Sequence, residues 1–475
     1  MGDQDRRLTL LHLRKTVSEC SKGNAQETFK NNLTRILPLF RNVSALFSPV
    51  ELRKEWREAP AFAHSLSTIF VHEIRLRAAS EGTREAARLI GSFLARDHGL
   101  PLLNAIHFLI ATDDDAIIDN LCKTALPSTL VKILYLFLDL HEENHVGEEG
   151  QLRLVGECME ALCCYKRVSE ELSKNDDLAI LFIASSSVVR PPNRGWRNVS
   201  GRTLETMATR SFSPLVIKYI VHKQCLKSFL ANIVDDSLEA LEVCVMYRTL
   251  FVLIKASLHH SFALSDDFRS AGGFIHFRDF ILHNQADEEM INTLLQLMVP
   301  LVACGPAKLN PQQESPLVSL PSFQLPVASD YSIRYVEPVT LLHSVFSGSS
   351  SPSTSISVLE AIDSIYKFDS ANYFILDRFH PLSSLMDKMA ATPLVVQKKV
   401  LEMTETILTH LHYIPCKELI SLSILAKGSI GDPSKNELLL VILQTCFKML
   451  MMDPVLKVSE WKGRVPFPLP PGCLP

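Results

Sequence analysis

His141-Glu142-Glu143-Asn144-His145 has the spacing of the H-E-x-x-H zinc hydrolases. In those sites two imidazoles one helical turn apart hold the metal, and the glutamate activates its bound water. The chemistry needs the motif inside a helix that lines a cleft. Here it closes an apolar run, and Val146-Gly147-Glu148-Glu149-Gly150 follows at once. Glu143 would add a charge beside the metal, and only Glu170 offers itself as a third ligand. We read the segment as a solvated loop between helices, with no metal and no catalytic residue.

A second cluster could do different chemistry. Arg190, Arg194, Arg197 and Arg202 surround Trp196, with no acid until Glu205. Guanidinium groups beside an aromatic ring can grip a phosphate, a phosphoinositide or RNA. Pro191, Pro192 and Gly195 place this cluster on a loop between helices. It is the best anion-site candidate in the chain, although an inter-helix loop alone explains it. Tyr373-Phe374-Ile375-Leu376 fits the loose aromatic-x-x-aliphatic core of autophagy-receptor motifs, but such matches are common in a helical chain and core packing is the better account. No glycine-rich phosphate loop and no nucleophile elbow occurs. No cofactor is expected. The eleven cysteines include no C-x-x-C pair, which suits small buried thiols in a reducing compartment.

The elements that must carry these residues are helices. From Thr392, which can cap, and Pro393, which suits a first turn, the chain reads as one amphipathic helix to His412. Val396, Val400, Leu401, Met403, Ile407, Leu408 and Leu411 share its apolar face. Asp287 to Ala303 repeats the design through Met290, Leu294, Leu297, Met298 and Leu301. Ser434 to Glu437 forms a capping box before Leu438. Leu130, Val131, Ile133, Leu134, Tyr135, Leu136, Phe137 and Leu138 leave no polar face, so their helix must lie between neighbours.

Helices recur in pairs. Short ones open at Leu126-Pro127, Cys225-Leu226, Gly272-Gly273-Phe274, Pro381-Leu382 and Ile414-Pro415, and a longer one follows each. Such degenerate pairs predict an all-α, armadillo- or HEAT-like solenoid, whose repeats bury their apolar faces only by stacking. The expected organisation is solenoid over 1–303, a proline-rich extended loop over 304–338, solenoid again over 339–452, and a disordered proline-rich tail over 453–475, which reads as a truncated gene model or a short isoform. The loop carries Pro306, Pro311, Pro316, Pro321, Pro326 and Pro338, which exclude helix. Pro311, Pro316, Pro321, Phe323 and Pro326 make it a candidate partner-docking strap. Ser347 to Ser357 reads as a second flexible stretch, open to phosphorylation.

Composition narrows the function. Among 475 residues, 48 Lys+Arg stand against 52 Asp+Glu, a net charge of −4. That balance removes a whole-chain argument for binding nucleic acid or membrane surfaces. No apolar stretch reaches the ~18 residues that span a bilayer. A soluble cytoplasmic chain is expected.

Several strings taken together resemble one family. They are Val71 to Ser80, Leu126 to Leu140, Lys174 to Phe182, Val216 to Leu226, Asn372 to Leu376 and His412 to Leu425. They are similar to the N-terminal region of the Alfy (blue cheese) family of BEACH, WD-repeat and FYVE-domain scaffolds, in order from about Leu8 to about Leu450. The His412 to Leu425 string is nearer to Alfy than to the immune paralogue used in antigen cross-presentation. The resemblance implies a non-enzymatic cytoplasmic scaffold for selective autophagy of aggregated proteins. Its implied partners are autophagy machinery or cargo adaptors. Its implied membrane contact, peripheral to autophagic or endosomal membranes, runs through C-terminal modules that these residues do not contain. No nucleic-acid partner is implied.

Overall fold

The computed structural model describes residues 3–20, 29–79, 82–96, 98–137, 149–185, 194–233, 238–311, 325–411 and 416–451. Among them every regular element is a helix. The chain divides into two compact units, Met1–Ala271 and Gly272–Pro475.

The first unit opens with α1 (Asp3–Cys20), α2 (Leu33–Leu46), α3 (Pro49–Glu55), α4 (Ala59–Ala78), α5 (Thr83–Arg96) and α6 (Gly99–Ile110). Three-helix repeats follow. The first is α7 (Asp115–Lys123), α8 (Leu126–Phe137) and α9 (Glu149–Leu162). The second is α10 (Lys166–Lys174), α11 (Leu178–Ala184) and α12 (Arg194–Arg210). The third is α13 (Pro214–His222), α14 (Cys225–Ile233) and α15 (Ala240–Leu258), and α16 (Ala263–Ser270) ends the unit. Each class of helix packs on its own kind. The long helices α6, α9, α12 and α15 stack in one layer, α5, α8, α11 and α14 in a second, and α10, α13 and α16 along a third edge. The expected helix pairs are the second and third helices of these repeats. The short first helix of each repeat had no place in that reading.

First and second helices meet at a turn with one residue in the left-handed region. These are Ala125 (φ 60°), Asp176 (φ 64°) and Gln224 (φ 52°). The same turn after α16 uses Gly272 (φ 78°), where no side chain opposes it. Asp176 is helped by its neighbours. Its carboxylate accepts from Tyr219 Oη at 2.6 Å and Lys223 Nζ at 2.8 Å on the following repeat.

The second unit holds α17 (Gly273–His283), α18 (Glu288–Met298) running into a 3-10 turn (Val299–Ala303), α19 (Glu337–Gly348), α20 (Pro352–Phe368), α21 (Ala371–Leu376), α22 (Leu382–Met389), α23 (Leu394–Leu411), α24 (Cys416–Ser429) and α25 (Asn436–Met451). Its long helices α18, α20, α23 and α25 again stack in order. All seven apolar residues expected on α23 are buried. Burial of each removes roughly 1.5–3 kcal/mol worth of apolar surface from water.

Some local expectations change. The Thr392 hydroxyl donates to Met389 O rather than capping α23. Asp432, not Ser434, accepts the capping N–H before α25, and Glu437 pairs with Lys398 at 2.5 Å. Tyr135 of α8 emerges half-exposed, because a short second helix covers only part of its circumference. Leu297 is only partly buried, since the last turn tightens into the 3-10 segment at Val299. Ser347 to Ser357 is not a flexible stretch. Gln285 Oε1 accepts from Ser349 Oγ and from the Ser350 and Ser351 N–H groups, and Ser351 caps α20.

The described ends of the proline-rich segment lie in the second unit and are pinned. Val302 O accepts from the Arg334 and Tyr335 N–H groups at 2.8 and 3.0 Å. The Asp369 carboxylate accepts from Ser329 N, Ser329 Oγ and Ser332 Oγ. Buried Asn372 accepts from Ile333 N and donates to Ile365 O, both at 2.8 Å. Residues 325–336 thus fill the position before α19 that a short helix fills in other repeats.

Candidate interaction surface

Helix formation rearranges the arginine cluster. Residues 194–210 form α12, not a loop. Trp196, Val199, Ser200, Thr203, Leu204 and Met207 are buried along one face of it. That helical spacing is the signal that could have revealed the helix. Arg197 is also buried and meets Glu242 of α15 at 3.1 Å. Arg202 points outward and pairs with Glu160 of α9 at 3.0 Å. Arg190 and the Arg194 side chain lie outside the described residues. Of the cluster, the two described arginine side chains, Arg197 and Arg202, each already hold a carboxylate.

The Arg202 pair belongs to a series. Glu205 of α12 meets Arg248 of α15 at 3.6 Å and accepts from Thr249 Oγ1 at 2.9 Å. In the second unit Glu360 of α20 meets Lys399 of α23 at 3.4 Å, and Glu405 of α23 meets Lys448 of α25 at 3.0 Å. Each rung joins one long helix to the next. In three of the four rungs the cation is the more exposed partner. Burial raises the pKa of Glu160, against the pull of Arg202. Exposed pairs of this type contribute about 0–1 kcal/mol each. Their main effect is to fix register and to present a row of cationic heads along the layer. In the first unit those heads are guanidinium forks with donors to spare, and in the second they are ammonium groups.

Among the described residues the remaining polar groups do not converge on a reaction centre. His141, Glu142 and His145 lie outside the described residues, and Glu170 meets Lys166 at 3.8 Å. Among the described residues no three His, Cys, Asp or Glu are placed to hold a metal ion. Burial pushes the Cys163 and Cys225 thiols up to about 12, so both stay protonated at neutral pH. A cavity of about 280 Å³ between α20, α21 and α23 is lined mainly by Tyr366, Tyr373, Ile407, His410 and Leu411. Tyr373, Ile375 and Leu376 are buried in α21, so the short aromatic-x-x-aliphatic string serves the core. Of the candidate docking strap, Pro311 and Pro326 are half-buried, while Pro316, Pro321 and Phe323 lie outside the described residues. No described helix is long and apolar enough to cross a membrane.

Stacked three-helix repeats joined by ion pairs define an armadillo-like α-solenoid. The expected resemblance is borne out at the level of sequence. The chain is 24% identical over 448 residues to the mouse WD repeat- and FYVE domain-containing protein 4, covering 90% of this chain and 14% of that protein. It is 24% identical over 370 residues to the human protein of the same name, covering 75% of this chain and 11% of that one. It thus spans a small fraction of the length of these relatives. No family model matches the chain. A crystal structure of an engineered protein aligns over 93% of this chain at 12% identity, but its TM-score of 0.34 carries no argument.

Proposed function

We propose that the chain is a non-enzymatic scaffold platform that receives partner proteins along its layer of long helices. The reading extends to a cytoplasmic role in selective autophagy of protein aggregates, where the partners are autophagy machinery or cargo adaptors. One observation carries it. The rungs Glu160–Arg202 and Glu205–Arg248 set exposed cationic heads at repeat spacing on a surface otherwise built for stacking. A surface of that chemistry suits an acidic, extended segment of a partner, since each guanidinium keeps donors free for a second carboxylate. Kinship with much longer WD-repeat and FYVE-domain proteins supports the scaffold reading.

The test is affinity capture from cytosol of cells carrying aggregated protein, with the whole chain as bait. Wild type should retain a reproducible set of proteins, and Arg202→Glu with Arg248→Glu should lose most of it while keeping its helical circular dichroism. Capture of no protein by a folded bait, or an unchanged set with the charge-reversed one, would overturn the proposal.

A further inference from the structure

We propose that the groove between α13 and α16 binds an extended acidic segment of a partner protein, through one large apolar side chain with carboxylates on either side. The groove has a volume of about 460 Å³ and opens to solvent. Ile217 and Val221 of α13 form its apolar floor. Lys218 and His222, the next residue in each case, stand exposed at its rim. His260, where the chain passes from α15 to α16, and Ala263, the first residue of α16, form the opposite wall.

Unanswered charge decides the occupant. The side chains of Lys218, His222 and His260 make no hydrogen bond or ion pair with any described residue. The neighbouring contact on the same edge is different, because there Tyr219 and Lys223 of α13 both reach Asp176. Asp266, one turn into α16, is taken by Arg269 at 2.7 Å. No carboxylate lines the groove among the described residues, so the occupant must bring the anions. The apolar floor asks for an apolar side chain between them. The spread of the basic groups sets the occupant's shape. Lys218 and His222 lie one helical turn apart on one wall, and His260 lies on the other. A fatty carboxylate has one anionic head, which suits cations gathered at one end of an enclosed tunnel. A peptide with acids before and after its apolar residue meets all three groups at once. This edge is separate from the cationic rungs of the long-helix layer and does not depend on the proposed function.

The whole chain is titrated against a short fluorescein-labelled peptide in which one phenylalanine is flanked by glutamates. Anisotropy should saturate below about 100 μM. Replacing the phenylalanine by serine, or the glutamates by lysines, should weaken binding at least about tenfold. Lys218→Glu with His260→Glu, one change on each wall, should do the same. Both side chains are exposed, so far-UV circular dichroism should not change. Ala263→Trp gives a second variant, which fills the groove without altering its charge. Arg202→Glu with Arg248→Glu should bind the peptide as wild type does, which separates this outcome from that of the proposed function. Lack of saturation, undiminished binding by the groove variants, or loss of binding in the arginine variant alone overturns the proposal. Octanoate that binds here while the peptide does not would assign the groove to a fatty carboxylate. A dimer in sedimentation that dissociates with Lys218→Glu and His260→Glu would assign it to a second copy. Either result would equally overturn it.

Discussion

The two units solve the same stacking problem with different parts. The first builds its first-to-second-helix turns on Ala125, Asp176 and Gln224, and ties its long helices with arginine rungs and the buried Arg197–Glu242 pair. The second replaces one short helix by the clasped segment 325–336, uses lysine rungs, and stacks the buried His343 on the half-buried His380. Stacking is thus set by the apolar faces, which both units share. The polar parts are where the units can differ in response to mutation, pH and salt.

The largest expected effect lies in the first unit. The Arg197 and Glu242 side chains are only 6% and 14% exposed. Arg197→Met leaves the Glu242 carboxylate buried without that cation, which should cost about 3 kcal/mol or more. Arg197→Met with Glu242→Leu should recover most of that loss, since an apolar pair of similar volume removes the stranded charge. Urea unfolding of the single and double variants measures this. A single variant within 0.5 kcal/mol of wild type, on the scale of ordinary surface substitutions, would show that the pair does not hold α12 to α15.

The second unit should be the one that responds to acid. His343 is 3% exposed and stacks on His380 with ring centroids 4.6 Å apart. Neither of its ring nitrogens has a hydrogen-bond partner among the described residues. Burial holds its pKa down at about 3, and His380 and Lys388 add to the depression. Burial also lowers His380, helped by Lys388 and opposed by Glu337. The unfolded chain takes up a proton near pH 6.5, while the folded chain refuses it. The stability from His343 is therefore complete above about pH 7 and is lost as pH falls toward 3, by about 2 kcal/mol at pH 5. Chemical denaturation at pH 7.5 and 5 should show a smaller drop for His343→Leu than for wild type. Equal drops would remove the histidine pair from the contrast between the units.

Much of this architecture was legible because apolar periodicity reports burial directly. The seven residues on one face of α23, and the second-helix starts at Leu126, Cys225 and Leu382, needed no tertiary information. What escaped depended on partners distant in sequence. A run of arginines beside prolines reads as a solvated loop, because Glu242 is not visible from Arg197. Short first helices such as α10 and α13 carry too few turns for a clear stripe. Their capping was also silent, since neither Tyr165 nor Ser213 makes a side-chain cap. The serine-rich stretch after His343 looked flexible because its ordering group is Gln285, on a neighbouring helix pair.

The smallest effect tests the repeat turns. Ala125 and Gln224 hold positive φ without a glycine, while the equivalent turn after α16 uses Gly272. A β-carbon in the left-handed region costs on the order of 1 kcal/mol, offset in part by the greater freedom glycine has in the unfolded chain. Gln224→Gly should therefore stabilise the first unit by a few tenths to about 1 kcal/mol. Ala125→Gly should act in the same direction. Gly272→Ala should do the reverse, since its φ of 78° penalises any β-carbon although only the His276 ring, at 3.4 Å, would meet it. Thermal melts of the three variants read the signs. A destabilised Gln224→Gly would mean that the Gln224 side chain contributes more to its turn than the backbone strain it imposes.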